Sequence, residues 1–159
     1  MDYNIFIKEW VKRSERKEGE DFIDIGDKFI SLWIAFNAWL KSQFGENKYD
    51  CDLKNDLISF SPMEDVFNEF KNNNKELDRL RNYKVKNMKF PEDESKKKSY
   101  NGSFSLLIEV LYEIRCNLFH GRKDLNSDDQ IDKELVELAY KILSPLFKKY
   151  LEIYNFNLL

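Results

Sequence analysis

An apolar stripe that repeats every three to four residues between positions 22 and 44 constrains the fold more than any other feature. Its members are Phe22, Ile25, Phe29, Trp33, Phe36 and Leu40. At about 100° per residue these side chains fall on one face of an α-helix, and Gly45 is a typical stop signal after it. Ile30, Leu32, Ile34 and Trp39 lie off the stripe. A helix that is apolar nearly all round is expected to be buried on two sides, against the core of the domain and against a partner subunit.

Similar patterns predict further helices. The sequence Ser61-Pro62-Met63-Glu64 combines an N-cap serine, a proline and a capping-box acid, which predicts a helix from Ser61 towards Leu80, with a break at Asn72-Asn73-Asn74. Other helices are expected over residues 4–16, over residues 103–119, and after Ser127 with a kink or a split at Pro145. The sequence thus predicts an all-α fold, a single domain over 1–159 built as a four- to five-helix up-and-down bundle.

Residues 82–102 have no apolar period, so they predict a flexible basic loop. From 75 to 98 the chain holds nine Lys or Arg and five acidic residues, a net charge of +4, although the whole chain carries −3. One interpretation is an arm that binds RNA phosphates through Lys84 and Lys86. The other is a solvated loop with no binding role.

Composition excludes several classes of protein. The net charge of −3 argues against a uniformly basic nucleic-acid coat. Two cysteines are too few for a disulfide framework, and one histidine, His120, argues against a structural zinc site. The most apolar stretch, Phe29 to Leu40, is 12 residues long, shorter than the roughly 20 needed to span a membrane. With no signal peptide in view, we expect a soluble cytoplasmic protein without a metal, a cofactor or a membrane partner.

The helix that ends near residue 119 carries the candidates for chemistry. On a helical wheel Arg115 falls in the apolar arc near Leu111, where a guanidinium needs a carboxylate, a phosphate or a subunit interface. His120 lies about 140° away, on a polar flank with Glu113 and Asn117. Arg115 and His120 can meet on one substrate if the helix ends before His120, or if two copies of the helix cross at a two-fold axis.

Each of these residues has a chemical and a structural interpretation. The negative end of the helix dipole favours a protonated His120, which can act as a general acid or base without a metal. Arg115 can hold a phosphate through two parallel hydrogen bonds. Alternatively, His120 is a helix cap, Arg115 forms a buried ion pair with an acid such as Glu109 or Glu113, and Asn117 caps backbone carbonyls.

The run Arg115-Cys116-Asn117-Leu118-Phe119-His120-Gly121 at the end of one apolar helix, with Leu32 to Ala38 on an earlier one, resembles the HEPN superfamily (higher eukaryotes and prokaryotes nucleotide-binding domains). The hallmark of that family is an arginine followed a few residues later by a histidine near the end of a helix in a small bundle. The resemblance covers residues 22–150. It departs at Cys116, where many members have a polar residue, commonly asparagine.

The resemblance implies a metal-independent endoribonuclease that works as a homodimer, with the active cleft between the subunits. Such nucleases serve as toxins or in antiviral defence, so an antitoxin or a regulatory protein is an expected partner besides RNA. Carried over by position, Arg115 and His120 are the catalytic pair. Family members also include non-catalytic modules that bind a protein or a nucleotide. A purely structural dimerisation domain is a further alternative.

The chemistry of RNA cleavage fits these residues. RNA carries its own nucleophile, the 2′-hydroxyl. In this hypothesis His120 transfers a proton, either as the base that deprotonates the 2′-oxygen or as the acid that protonates the leaving 5′-oxygen. Arg115 stabilises the charge on the non-bridging oxygens, and Asn117 orients the ring or the phosphate. The product is a 2′,3′-cyclic phosphate.

Four other residues are predicted to assist. Arg122 and Lys123 follow His120 directly and are placed to steer a phosphate. Asn37 lies beside the apolar stripe and either braces the region around Arg115 or makes a structural bond between helices. Glu113 is a supporting polar group on the flank of His120.

Overall fold

The computed structural model describes residues 2–119 and 130–154, except for the side chains of residues 130 and 131. Within these ranges the chain is mostly α-helical and forms no β-strand, which confirms the all-α prediction. The α-helices are α1 (Tyr3–Arg16), α2 (Phe22–Phe44), α3 (Asp50–Ile58), α4 (Ser61–Phe70), α5 (Lys75–Leu80), α6 (Phe104–Phe119) and α7 (Gln130–Ile153). Seven helices in the described ranges exceed the four to five predicted. An HEPN-like arrangement of the bundle stays a prediction.

Helix α2 confirms the helix predicted over 22–44. It begins after Asp21, whose carboxylate accepts a hydrogen bond from the backbone N–H of Asp24 at 2.8 Å. It ends at Phe44 because Gly45 adopts a φ of 138°, which residues with a side chain rarely take.

Other helices of the same chain cover α2, which explains why this helix is apolar nearly all round. α1 packs along α2, and α7 and α3 also contact it. Leu32 and Trp39, which lie off the stripe, are as completely buried as Phe29 on the stripe. The burial of α2 therefore does not require the partner subunit that the sequence suggested for its second side.

The region from 50 to 80 differs from the prediction. α3 was not expected, because its only buried side chains are Leu53 and Leu57. The break expected at Asn72-Asn73-Asn74 is present and separates α4 from α5, since Asn73 takes a φ of 58° and the side chain of Asn74 caps α5 through the N–H of Leu77. The N-cap of α4 is Phe60, without a side-chain cap bond, so the assignment of the cap to Ser61 was wrong by one residue.

Helix α7 continues through Pro145, so the expected split does not occur. Pro145 lies on the exposed side of the helix. The carbonyl that loses its hydrogen-bond donor can therefore be solvated, which lowers the cost of a proline in a helix. The predicted start after Ser127 lies outside the described residues.

The segment 82–102 contains no α-helix and is attached to the bundle at its base. Val85 and Lys98 form an antiparallel bridge with N–H···O distances of 2.8 and 3.0 Å. Val85 and Tyr100 are buried. The predicted flexibility of this segment stays a prediction, but its two ends have fixed contacts with the core. No helix in the described ranges is long and apolar enough to cross a membrane.

Candidate active site

Arg115 lies where the wheel placed it, among apolar side chains near the end of α6. Its side chain is 17% exposed, and its Nη1 forms an ion pair of 3.0 Å with Asp50. The guanidinium carbon is 4.9 Å from the ring centre of Phe119 and 5.9 Å from that of Trp33. The arginine is thus held in one orientation by a carboxylate and two aromatic rings.

One donor of the Arg115 guanidinium is unused in the part of the chain that the structure describes. Nε is buried and has no hydrogen-bond partner in the described parts of the chain. The Asp50 contact occupies Nη1, on the other side of the planar group from the Nε hydrogen. The edge that includes Nε is one through which a guanidinium binds a carboxylate or a phosphate with two parallel bonds.

Asp50 is a site residue that sequence reasoning missed. It is the first residue of α3, and its side chain is 51% exposed. The acids suggested for a structural ion pair were wrong: Glu109 pairs with Lys54 and Lys98 at 3.0 and 2.9 Å. Nothing in the local sequence places Asp50 beside a residue 65 positions later, because the contact depends on how α3 packs against α6.

A cavity of about 300 Å³ opens beside Arg115. Helices α1, α2 and α6 supply most of its walls: Tyr3, Phe6, Trp33, Ile34, Asn37, Ala38, Lys41, Arg115 and Phe119, with Glu46 from the turn after α2. The structure therefore places Asn37 and Arg115 on the wall of one cavity, which we name the arginine cavity. The bracing role of Asn37 stays a prediction.

Asn117 lies on the other side of α6. It is buried, its Nδ2 donates to the carbonyl of Lys86 at 2.7 Å, and its Oδ1 accepts from the N–H of Met88 at 3.2 Å. The amide thus holds the backbone of the 82–102 segment against α6. The structure does not bring Asn117 and Arg115 together, and the catalytic role of Asn117 stays a prediction.

Lys84 and Lys86 border a second cavity of about 450 Å³, together with Asn117. Both lysine side chains are exposed. A hydrogen bond and the charge of Lys97 lower the pKa of Glu94, and the charges of Lys84 and Lys86 add to the effect. Lys84 and Lys86 therefore lie close enough to Glu94 for their charges to act on it.

Glu113 is buried and lies 3.5 Å from Lys98. Burial lowers the pKa of Lys98, but its bonds to Glu109 and Glu113 outweigh burial and raise the pKa above the usual value. Glu113 thus anchors the base of the 82–102 segment. The sequence expected it on the flank of His120 as a supporting group, and that role stays a prediction.

Tyr112 is a second group that the sequence did not single out. Its hydroxyl is buried and has no hydrogen-bond partner in the described part of the chain. Burial raises the pKa of Tyr112 well above its usual value, and the nearby charge of Asp50 raises it further. The ring of Trp33 packs edge-on against the ring of Tyr112, with 4.9 Å between the two ring centres.

His120, Arg122 and Lys123 lie outside the described residues, whose first range ends in α6 at Phe119. The meeting of His120 with Arg115 therefore stays a prediction. The described residues include no group of three or more His, Cys, Asp or Glu side chains that could hold a metal ion. No protein-family model matches this chain, and comparisons with curated proteins and with solved structures likewise found no match.

Proposed function

We propose that the protein is a metal-independent endoribonuclease that cleaves RNA by attack of the 2′-hydroxyl, with Arg115 and His120 as its catalytic pair. The supporting observation is that the buried Nε of Arg115 has no hydrogen-bond partner in the described residues, while Arg115 is one of the residues that line an open cavity. A buried guanidinium with an unused donor edge is expensive unless a ligand completes it. A phosphodiester oxygen is such a ligand.

The reaction needs one bond to form and one to break. The 2′-oxygen bonds to phosphorus and loses its proton, and the bond from phosphorus to the 5′-oxygen breaks as that oxygen gains a proton. His120 carries one of the two protons. Arg115 donates to a non-bridging oxygen, where negative charge accumulates in the transition state.

In this proposal Asp50 holds the Arg115 guanidinium in the orientation that binds the phosphate. Because Asp50 contacts Nη1, a phosphate can bind the Nε edge without displacing it. A guanidinium that is already fixed loses less side-chain entropy when the substrate binds. Asp50 is therefore a positioning residue.

Further substrate contacts and partners belong to the same proposal. Lys84 and Lys86, with Arg122 and Lys123, contact phosphates away from the cleaved bond, where each basic group adds salt-dependent affinity. A second copy of the chain, forming a homodimer, completes the site if a two-fold axis brings the His120 of one copy next to the Arg115 of the other. Such a nuclease suits a toxin or defence effector controlled by a protein inhibitor.

A non-catalytic helical module or a structural dimerisation domain is the alternative, and one observation favours it. The ion pair of Arg115 with Asp50 already compensates much of the cost of burying a guanidinium. In that case Arg115 only joins α6 to α3.

Cleavage of single-stranded RNA in the presence of EDTA tests the proposal. We expect products that end in a 2′,3′-cyclic phosphate, no cleavage of DNA of the same sequence, and loss of activity in His120→Ala and Arg115→Ala. Arg13→Ala is the matched control, since Arg13 also stacks on an aromatic ring, that of Trp10, at 4.8 Å. Full activity in His120→Ala contradicts the proposal. Growth arrest by the wild-type chain but not by His120→Ala would further support it.

A further inference from the structure

The arginine cavity has flat aromatic walls from three helices. Phe6 of α1, Trp33 of α2 and Phe119 of α6 all border it. Phe119 is 42% exposed at the end of α6, so part of its ring is accessible to a ligand. Such walls suit a planar group that can stack on an aromatic ring.

The polar groups of the arginine cavity are mostly unused donors. Its carboxylate, Glu46, accepts a hydrogen bond of 2.6 Å from the hydroxyl of Tyr3. By contrast, the side chains of Asn37 and Lys41 make no hydrogen bond or ion pair within the described ranges, and neither does the Nε of Arg115. A ligand that completes the cavity must therefore be rich in acceptors.

We propose that the arginine cavity binds one unstacked nucleotide, with its base on Phe119, its base edge on the Asn37 amide, and its phosphate between Lys41 and Arg115. An amide both donates and accepts, which matches the edge of a nucleobase. An ammonium and a guanidinium match a phosphate. An apolar peptide side chain fills the aromatic walls equally well, but it leaves these donors unsatisfied.

This inference rests on the proposed nuclease for the identity of the polymer, since a free nucleoside monophosphate carries the same chemistry. In the nuclease, the cavity fixes the nucleotide next to the cleaved phosphate. Asn37 then becomes a specificity-determining residue. The enzyme would prefer single-stranded RNA, because a paired base cannot leave its helix without cost.

Binding can be measured apart from cleavage with a fluorescent single-stranded RNA whose 2′-hydroxyls are methylated. Such RNA lacks the nucleophile and cannot be cut. We expect fluorescence anisotropy to show that wild type binds it, and that Phe119→Ala and Asn37→Asp weaken binding by about tenfold or more. Phe119→Leu keeps the apolar bulk without the ring and is expected to lose the same affinity, which separates stacking from a folding defect.

Two controls match these variants. Tyr154→Ala removes an exposed aromatic ring elsewhere, and Asn68→Asp adds a charge on the exposed side of α4. Both are expected to bind as wild type does. Adenosine and uridine monophosphates, added as competitors, distinguish a pocket for free nucleotides from one that needs a polymer.

The outcomes separate the two proposals. Binding of methylated RNA that depends on Phe119 and Asn37, without cleavage of ordinary RNA, rejects the nuclease and keeps the nucleotide pocket. Cleavage and binding that are unchanged in Phe119→Leu and Asn37→Asp reject the pocket and keep the nuclease. Absence of any binding to RNA or to either monophosphate also overturns the pocket.

Discussion

Arg115 and Asn117 stand two residues apart in α6 and face opposite sides of the bundle. Arg115 borders a cavity with α1 and α2, whereas Asn117 bonds to the backbone of Lys86 and Met88. Two residues correspond to about 200° of helix rotation. A single phosphate is therefore not expected to touch both side chains of one helix: Arg115 lines a cavity, whereas Asn117 fixes a segment of the chain.

The first prediction concerns that fixing role. Asn117→Ala leaves the carbonyl of Lys86 and the N–H of Met88 without their partner, so we expect the free energy of unfolding to fall by about 1–3 kcal/mol. Urea titration followed by circular dichroism measures it. Asn68→Ala, at an exposed position of α4, is expected to change stability by less than about 1 kcal/mol. An Asn117→Ala protein as stable as wild type would show that the two bonds contribute little.

The second prediction concerns the shape of the arginine. Arg115→Lys keeps the positive charge but loses the planar edge that includes Nε, so we expect RNA cleavage to slow by about 10²–10³-fold. The rate constant under single-turnover conditions is the measurement. Arg13→Lys, which changes another arginine that stacks on an aromatic ring, is expected to cleave at the wild-type rate. If Arg115→Lys retains full activity, charge alone is sufficient.

The third prediction concerns the Tyr112 hydroxyl, which is buried without a partner in the described residues. Tyr112→Phe removes this uncompensated group, so we expect the protein to become more stable by about 1 kcal/mol. The pKa of Tyr112 is raised by burial. The stabilisation linked to this raised pKa is therefore complete at pH values below the usual tyrosine pKa of about 10. It is lost as pH rises towards the higher pKa of Tyr112 in the folded state.

Unfolding by urea at neutral pH and at alkaline pH checks both parts of that prediction. Tyr112→Phe is expected to lose less stability than wild type at alkaline pH. A variant that is less stable than wild type at neutral pH would mean that the hydroxyl has a partner, such as a water molecule.

The fourth prediction concerns Glu109, which bonds to Lys98 and Lys54. Burial raises the pKa of Glu109, but the hydrogen bonds from Lys98 and Lys54 outweigh it and hold the pKa below the usual value. The unfolded chain thus takes up the proton first as pH falls. The contribution to stability is present above about pH 4.3 and is lost as pH falls through the lower pKa of the folded state.

Glu109→Gln should therefore flatten the acid side of the stability profile, measured as the urea midpoint at a series of pH values between neutral and strongly acidic. The control is Glu137→Gln, in a more exposed pair with Lys141. It is expected to retain the wild-type profile. An identical acid profile in Glu109→Gln and wild type contradicts the assignment.

The parts of the fold that could be predicted are those in which burial is periodic. α2 and α6 have long apolar patterns, and their predicted bounds agree with the structure to within one residue. α3 was missed because two buried leucines, Leu53 and Leu57, make too short a pattern. The break between α4 and α5 was visible as three asparagines, one of which, Asn73, takes a positive φ.

The candidate site was predictable only in part, for a related reason. The inward direction of Arg115 follows from the helical wheel alone. Its partner Asp50 and the partners of Asn117 come from remote segments of the chain. Such contacts cannot be predicted from the residues next to Arg115 or Asn117 in the sequence. The lysines of the 82–102 segment suggested RNA binding, whereas one of them, Lys98, is an internal anchor on Glu109.

The enclosure of α2 by helices from both ends of the described chain has a consequence for biosynthesis. α1 leaves the ribosome before α2 and can cover it at once, but α7 emerges only after α3 to α6 have been made. Until then, the side of α2 that α7 covers, with Phe36 against Phe147, is open to solvent. A nascent chain that still lacks α7 is therefore expected to expose this apolar surface, and its yield in the cell is expected to depend on chaperones that shield it.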